Sequence, residues 1–87
     1  MRTPKEIQLN IAQRIRKLRK SRKMTLEQFA KASGVSLGSI KRFERTGQIS
    51  LQSLVKIAFA LGREEELEQL FENVEIHSIE EIIHGEI

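Results

Sequence analysis

The chain contains no cysteine, no tryptophan and no tyrosine, and only one proline among its 87 residues. The absence of cysteine excludes a disulfide framework and thiolate metal sites, which is typical of a reducing cytosol. Two histidines, His77 and His84, are too few to indicate a metal site. The N-terminus has no apolar run of signal-peptide length, and no segment reaches the roughly 20 apolar residues that span a bilayer. We therefore expect a cytoplasmic protein that uses no metal and no cofactor.

The residue groupings that enzymes use are also missing. The sequence offers no Ser/His/Asp or Cys/His set and no glycine-rich loop that would cradle a phosphate. A hydrophobic content of 39% is enough for one modest core, but not for a large enclosed pocket. We expect a single small domain without catalytic activity.

Charge is divided unevenly along the chain. All 15 Lys and Arg residues lie at or before Arg63, where three Glu oppose them, so residues 1–63 carry +12. Residues 64–87 carry nine Glu and no Lys or Arg, which gives −9. For the acidic run at residues 64–66, a functional role and a simple solvated helix face are equally good explanations. A large positive surplus on a small domain repels itself, and binding to a polyanion relieves that repulsion through counterion release. The basic part therefore indicates a nucleic acid as partner.

Helix start signals recur four times, with Ser or Thr placed to cap the first turn. They are Thr3 before Pro4, Thr25, Ser36 and Ser50. These signals predict helix 1 from Pro4, helices 2 and 3 after Thr25 and Ser36, and helix 4 over residues 51–61. Helix 5 is predicted over residues 63–72 from acidic residues in its first turn and from a narrow apolar stripe, which is Leu67, Leu70 and Phe71. No stretch before residue 73 alternates as a strand would. The predicted fold class is all-α, with five helices.

The apolar residues of these helices indicate where the core lies. In helix 1, Ile7, Ile11, Ile15 and Leu18 share one face, and basic residues including Arg19 occupy the others. Helix 4 is apolar enough to be the central buried helix. The four Phe residues have helical spacing and apolar neighbours, so we expect them to pack in the core and not to stack on bases. They are Phe29, Phe43, Phe59 and Phe71.

Residues 24–46 hold two short amphipathic helices separated by Gly34. Small Ala30 allows the second helix to cross the first closely, and Gly34 is suited to the positive φ that ends a helix and turns the chain. Ile40 then fills the angle between the two helices. This is the spacing of a helix-turn-helix, which points to DNA.

The order and spacing of one further set of residues carry a resemblance to a known family. The set is Phe29-Ala30, Gly34, Ile40, Phe43-Glu44, Leu54, Ala58 and Leu61-Gly62. Over about residues 7–72 the chain resembles the Cro/C1-type (XRE-type) helix-turn-helix repressors. The resemblance implies a compact five-helix, lambda-repressor-like domain that places helix 3 in the major groove of DNA. Many relatives have Gln where this chain has Leu26 and Leu37, so the family's Gln contacts to phosphate and adenine are not carried over.

The outer face of helix 3 supplies the predicted DNA contacts. At about 100° per residue, Ile40 and Phe43 point inward, and the opposite face holds Gly38, Lys41, Arg42 and Arg45. Arg42 is predicted to read a guanine, and Gly38 to let the backbone approach DNA, although a merely loose first turn explains it too. A purely solvated role remains the alternative for Lys41 and Arg45. The complete predicted DNA-binding set is Ser36, Leu37, Gly38, Ser39, Lys41, Arg42, Arg45, Arg22 and Lys23.

The character of the sequence changes after Glu72. Residues 73–77 alternate as a strand does, and residues 78–83 look like a capped helical turn. The apolar residues are too many for an inert tail; they are Val74, Ile76, Ile79, Ile82 and Ile83. The division predicted is a DNA-binding domain over residues 1–72 and an acidic, apolar tail over residues 73–87.

Three interpretations of this tail remain open. Residues 73–77 form a dimerisation strand that pairs two protomers across a twofold axis, or the tail docks on a protein partner, or it packs on its own domain. The second interpretation follows from a similarity to antitoxin-like regulators of the HipB type, which pair such a domain with a kinase-like toxin. The sequence thus predicts a dimeric repressor that reads a palindromic double-stranded operator. The alternative is an antitoxin-type interaction module in which DNA binding is secondary.

Overall fold

The computed structural model describes residues 2–73, and within them the chain is all-helical. The helices are α1 (Pro4–Ser21), α2 (Leu26–Ser33), α3 (Leu37–Thr46), α4 (Leu51–Ala60) and α5 (Glu64–Glu68). The predicted all-α fold with five helices is confirmed. The predicted dimerisation strand covers residues 73–77, and the predicted capped turn covers residues 78–83. Apart from Asn73, these residues lie outside the described part of the chain.

The four predicted start signals all cap a helix. The side-chain oxygens of Thr3, Thr25, Ser36 and Ser50 each accept a hydrogen bond from the backbone N–H three residues later. At Thr25 the capping box is complete, because its own N–H donates to Gln28 Oε1 at 2.9 Å. Each such cap stabilises its helix by about 1 kcal/mol. The starts of the first four helices are therefore set locally.

Glycines with positive φ end α2 and α3. Gly34 has φ +74° and Gly47 has φ +79°, and both adopt the left-handed conformation that glycine takes without a steric penalty. The prediction for Gly34 is confirmed. A Cβ on Gly47 would lie 2.8 Å from the carbonyl carbon of Gln8 and 2.9 Å from Leu9 N. The end of α3 therefore sits directly against the backbone of α1.

One hydrophobic core joins the first four helices. Its fully buried residues come from α1, α2, α3 and α4, with Val35 and Leu61 at its edge. They are Ala12, Phe29, Ile40, Phe43 and Ile57. α1 packs on α3, and α2 packs on both α3 and α4. The helix-turn-helix pair α2–α3 is thus held between α1 and α4.

Several apolar residues predicted to be buried are exposed. The exposed fraction is 63% for Phe59 and 89% for Phe71, so the core assignment is wrong for two of the four Phe residues. In α1, Ile7 and Ile11 are also exposed, whereas Ala12 is fully buried. The small Ala12 lets α1 approach the core closely, and the larger isoleucines lie to the side of that contact.

Helix α5 is shorter than the predicted span over residues 63–72. It ends at Glu68, and the chain then turns with a φ of +57° at Phe71. Arg63 provides no side-chain cap, although its guanidinium donates a hydrogen bond to Glu66. This hydrogen bond, and to a smaller extent the attraction between the two charges, raises the pKa of Arg63 above its ordinary value. A helix this short depends on packing, and Leu70 beyond it is exposed. Of the predicted apolar stripe, Leu67 is half-buried and α5 packs on α4, whereas Leu70 and Phe71 are exposed.

A buried ion pair links α1 to α3. Arg19 Nε lies 2.7 Å from Glu44 Oε2, and Arg19 Nη2 lies 3.0 Å from Glu44 Oε1. The third nitrogen, Nη1, donates to the Met24 carbonyl at 2.7 Å. Both side chains are less than a tenth exposed. The interpretation of Arg19 as part of a basic surface is therefore wrong, because Glu44 draws its guanidinium inward.

Candidate nucleic-acid interface

The inner and outer faces of α3 differ in the way that its periodicity predicts. Ile40 and Phe43 are buried in the core. The opposite face presents exposed residues, of which three are basic; they are Gly38, Lys41, Arg42 and Arg45. The structure thus brings the predicted basic residues together on one solvent-facing helix surface, which we call the outer face of α3. Their contact with DNA stays a prediction.

The N-terminus of α3 adds polar groups beside this face. The Ser36 hydroxyl accepts from Ser39 N–H at 3.2 Å and donates to Ser39 Oγ at 2.8 Å, and both side chains are exposed. The backbone N–H groups of Leu37 and Gly38 precede the first helical hydrogen bond, so they are oriented toward an external acceptor. Leu37 itself is half-buried. These groups form the kind of helix terminus that binds phosphate.

Gly38 has open space around it. A Cβ built there meets no heavy atom within 4 Å. Packing among the described residues therefore gives no reason for glycine at this position, unlike at Gly47. Since glycine within a helix costs about 1 kcal/mol relative to alanine, the unfilled space is consistent with an external surface that approaches the backbone.

Arg42 is held by a residue that the sequence analysis did not single out. Its Nη2 donates to Gln48 Oε1 at 2.5 Å, and both side chains are exposed. The two residues line an open cleft of about 250 Å³ between α3 and the start of α4, together with Ser39, Ile49, Ser50 and Ser53. Gln48 lies in a loop, where helical periodicity gives no direction for a side chain. Helical periodicity therefore gives no signal for this contact.

Arg22 and Lys23 lie in the turn between α1 and α2, away from the outer face of α3 along the chain. Arg22 Nη1 donates to the Leu61 carbonyl at 2.5 Å, at the end of α4. A cation at a helix C-terminus is favourable because the helix dipole is negative there. Lys23 has a φ of +57° and an exposed side chain. Arg22 therefore has a structural contact, and the DNA contact of both residues stays a prediction.

The remaining predicted site residues belong to the tail. Val74, Ile76, Ile79, Ile82 and Ile83 lie outside the described residues. Among residues 2–73, no group of acidic or histidine side chains is arranged to hold a metal ion. No helix in that part of the chain has the length and apolar character needed to cross a membrane.

Comparison with known proteins gives one match. The family model described as helix-turn-helix matches residues 15–67, which is more than half of the chain. The matched segment contains all of α2, α3 and α4 together with the outer face of α3. No curated protein and no solved structure matches the chain.

Proposed function

The chain belongs to the Cro/C1-type helix-turn-helix family, and from this premise we propose that it is a sequence-specific repressor. It binds double-stranded DNA as a dimer and reads a palindromic operator with α3 in the major groove. Each protomer reads one half-site, and the two half-sites lie about 34 Å apart, one turn of the duplex. The protein acts in the cytoplasm and has no catalytic role.

The outer face of α3 is the observation that carries this proposal. Lys41, Arg42 and Arg45 are exposed on one side of a helix whose other side is locked into the core by Ile40 and Phe43. A helix held in this way presents the backbone positions of its outer face in a fixed orientation. That fixed orientation is what base-edge recognition in the major groove requires.

Roles follow from chemistry for each member of the site. Arg42 reads a guanine through the paired acceptors O6 and N7, which discriminates by about 1–3 kcal/mol. Lys41 and Arg45 contact phosphates, as do Ser36, Ser39 and the N–H groups at the start of α3. Gly38 allows the backbone to approach the duplex. Arg22 and Lys23 contribute weaker contacts to the flanking phosphates.

The test is fluorescence anisotropy of the full chain with two duplexes of equal length at about 150 mM salt. One duplex is the DNA upstream of the protein's own gene, and the other is the same sequence scrambled. We expect a preference of about 10³-fold or more for the upstream DNA, which is the low end for specific recognition. Equal weak binding to both, combined with no enrichment from a randomised duplex pool, would contradict sequence-specific binding.

The dimer in this proposal uses the tail. Residues 73–77 of two protomers pair as strands across the twofold axis, as the alternation of Val74 and Ile76 suggests. The test is sedimentation equilibrium of the full chain carrying Val74→Glu and Ile76→Glu. We expect a dimer for the wild type and a monomer for the variant, with a matching loss of operator affinity. A variant that remains dimeric would overturn the strand pairing.

A second candidate function is an antitoxin-type module that captures a kinase-like protein and represses its own operon. The observation that favours it is the exposure of Leu70 and Phe71 immediately before the acidic, apolar tail. The two functions separate by mutation. Lys41→Ala with Arg42→Ala should abolish operator binding but leave capture of a kinase-like neighbour-gene product intact. Charged substitutions at Ile79 and Ile82 should abolish that capture but leave operator binding intact. If the tail variant loses neither activity, the capture function is wrong.

A further inference from the structure

A closed ring of hydrogen bonds surrounds the end of α3. The Thr46 hydroxyl donates to the Arg42 carbonyl at 2.7 Å, and the Gln48 backbone N–H donates to Thr46 Oγ1 at 3.1 Å. The Gln48 side chain then returns to its starting point, since its Oε1 accepts from Arg42 Nη2 at 2.5 Å. Gln48 Oε1 therefore holds the Arg42 guanidinium, and the Thr46 hydroxyl ties the Gln48 backbone to the end of α3.

The loop that carries Gln48 is itself anchored. Gly47, directly before it, packs against the backbone of Gln8 and Leu9 so closely that a Cβ would approach to 2.8 Å. The N–H of Gly47 also closes α3 through a 2.7 Å hydrogen bond to the Phe43 carbonyl. Gln48 thus starts from a backbone position that is fixed on α1. An acceptor on a fixed loop can orient a flexible arginine side chain.

We propose that Gln48 is a specificity-determining positioning residue that aims the guanidinium of Arg42 at its base. This inference rests on the proposed function and deepens it. Arginine has five N–H donors in a rigid planar fork, and Gln48 takes only one of them. The remaining donors suffice for a bidentate contact with guanine O6 and N7. Because Gln48 Oε1 faces Arg42, the Gln48 amide does not itself form the acceptor-and-donor pair that reads adenine.

The proposal makes Gln48 act through Arg42 only. Loss of the Gln48 acceptor frees the guanidinium to rotate, so the ordering cost falls on DNA binding and the guanine preference weakens. Affinity for the phosphate backbone is independent of this alignment and stays unchanged. In a protein that lacks the Arg42 side chain, the identity of residue 48 no longer matters.

The experiment compares four variants of the full chain with one control variant. Gln48→Met keeps the length of the side chain but removes the acceptor, and Gln48→Glu keeps an acceptor oxygen. Arg42→Ala removes the group being positioned, and the combination of Arg42→Ala with Gln48→Met completes a double-mutant cycle. Gln69→Met is the matched control, because Gln69 is exposed at the end of α5, which packs on α4. Duplexes selected from a randomised pool by the wild-type protein define the site, and single-base variants of it measure discrimination.

Expected results follow for each variant. Gln48→Met lowers discrimination at the base pair that depends on Arg42 by about two- to tenfold, the range for loss of one hydrogen bond. Its affinity for a scrambled duplex and its midpoint of thermal unfolding match those of Gln69→Met. Gln48→Glu retains the base preference although its added charge weakens binding to every duplex. In the Arg42→Ala background, Gln48→Met has no further effect on discrimination.

Two results would overturn the inference. One is that Gln48→Met changes preference at a base pair that Arg42→Ala leaves untouched, which would make Gln48 a reader in its own right. The other is that the effects of Gln48→Met and Arg42→Ala simply add at the same base pair.

A measurement without DNA separates this inference from the proposed function. Nitrogen-15 relaxation at Arg42 Nε should show an ordered side chain in the wild type and a mobile one, like that of exposed Arg45, in Gln48→Met. If the wild type enriches no sequence from the pool, the proposed function fails, and this relaxation measurement still decides whether Gln48 positions Arg42. Equal mobility of Arg42 in both proteins would overturn the positioning itself.

Discussion

The two faces of the ten-residue helix α3 differ in what their side chains contact. On the inner face, Ile40 and Phe43 fill the core and Glu44 is bound by Arg19, so each of these side chains has a fixed partner inside the protein. On the outer face, Lys41 and Arg45 are exposed to solvent. The inner face therefore determines where the helix lies, whereas the outer face remains accessible to a binding partner. Substitutions on the two faces should therefore separate stability from binding.

The largest effect is expected at the ion pair on the inner face. Glu44→Ala leaves the buried Arg19 without its carboxylate, which should lower the free energy of unfolding by about 3–5 kcal/mol, measured by urea denaturation. Exposed Glu65→Ala is the control and should change it by less than about 0.5 kcal/mol. Replacing the pair by Arg19→Met with Glu44→Leu should restore most of the loss. A small effect of Glu44→Ala would mean that Arg19 finds water or another acceptor.

A second test of the inner side concerns the contact of Gly47 with α1. Gly47→Ala places a Cβ 2.8 Å from the Gln8 backbone and forces a non-glycine residue to φ +79°. We expect a loss of about 2–3 kcal/mol in the free energy of unfolding. Gly34→Ala is the matched control, because it has a similar φ and open space for the Cβ, and should cost less. Equal losses would mean that φ alone, and not the approach of α1, requires glycine.

On the outer face, the expected loss is in binding and not in stability. Arg42→Ala should weaken binding to the selected operator by about 1–3 kcal/mol and relax preference at one base pair, as measured by anisotropy with single-base variants. Unfolding in urea should be unchanged within about 0.5 kcal/mol. Arg63→Ala, which removes an exposed arginine paired with Glu66, is the control and should leave binding intact. Uniform weakening across all sequences would reassign Arg42 to a phosphate.

The smallest effect sharpens the contrast most, because it is expected to have opposite signs in stability and binding. Gly38→Ala should raise the free energy of unfolding by up to about 1 kcal/mol, since a Cβ there meets nothing and alanine is the better helix former. If DNA approaches the backbone at this point, the same change weakens operator binding. A variant that is more stable and binds equally well would show that Gly38 is only a loose first turn.

Much of this architecture could be predicted because it depends on short-range signals. The four N-caps are interactions between residues three positions apart, and they place the helix starts correctly. The burial of Ile40 and Phe43 follows from helical periodicity in α3. The positive φ at Gly34 follows from the absence of a side chain.

The predictions that failed concern residues whose burial depends on contacts with distant parts of the chain. Arg19 and Glu44 are 25 positions apart, and nothing in the local pattern of α1 distinguishes Arg19 from the exposed basic residues around it. Phe59 and Phe71 have the periodicity of core residues, but a core position also needs a facing element. The contact between Gln48 and Arg42 could not be predicted for a related reason, because Gln48 lies in a loop, where no periodicity gives the direction of a side chain.

The ion pair has a consequence for how this scaffold can change over evolutionary time. A single guanidinium joins α1, the segment before α2 and α3, and none of its acceptors is on the outer face of α3. The positions on the outer face of α3, which we propose contact DNA, can therefore be substituted one at a time without loss of this junction. Duplicated copies of such a chain would be free to acquire new operators while they keep the same folded frame, and the inner residues would be the ones that descendants share.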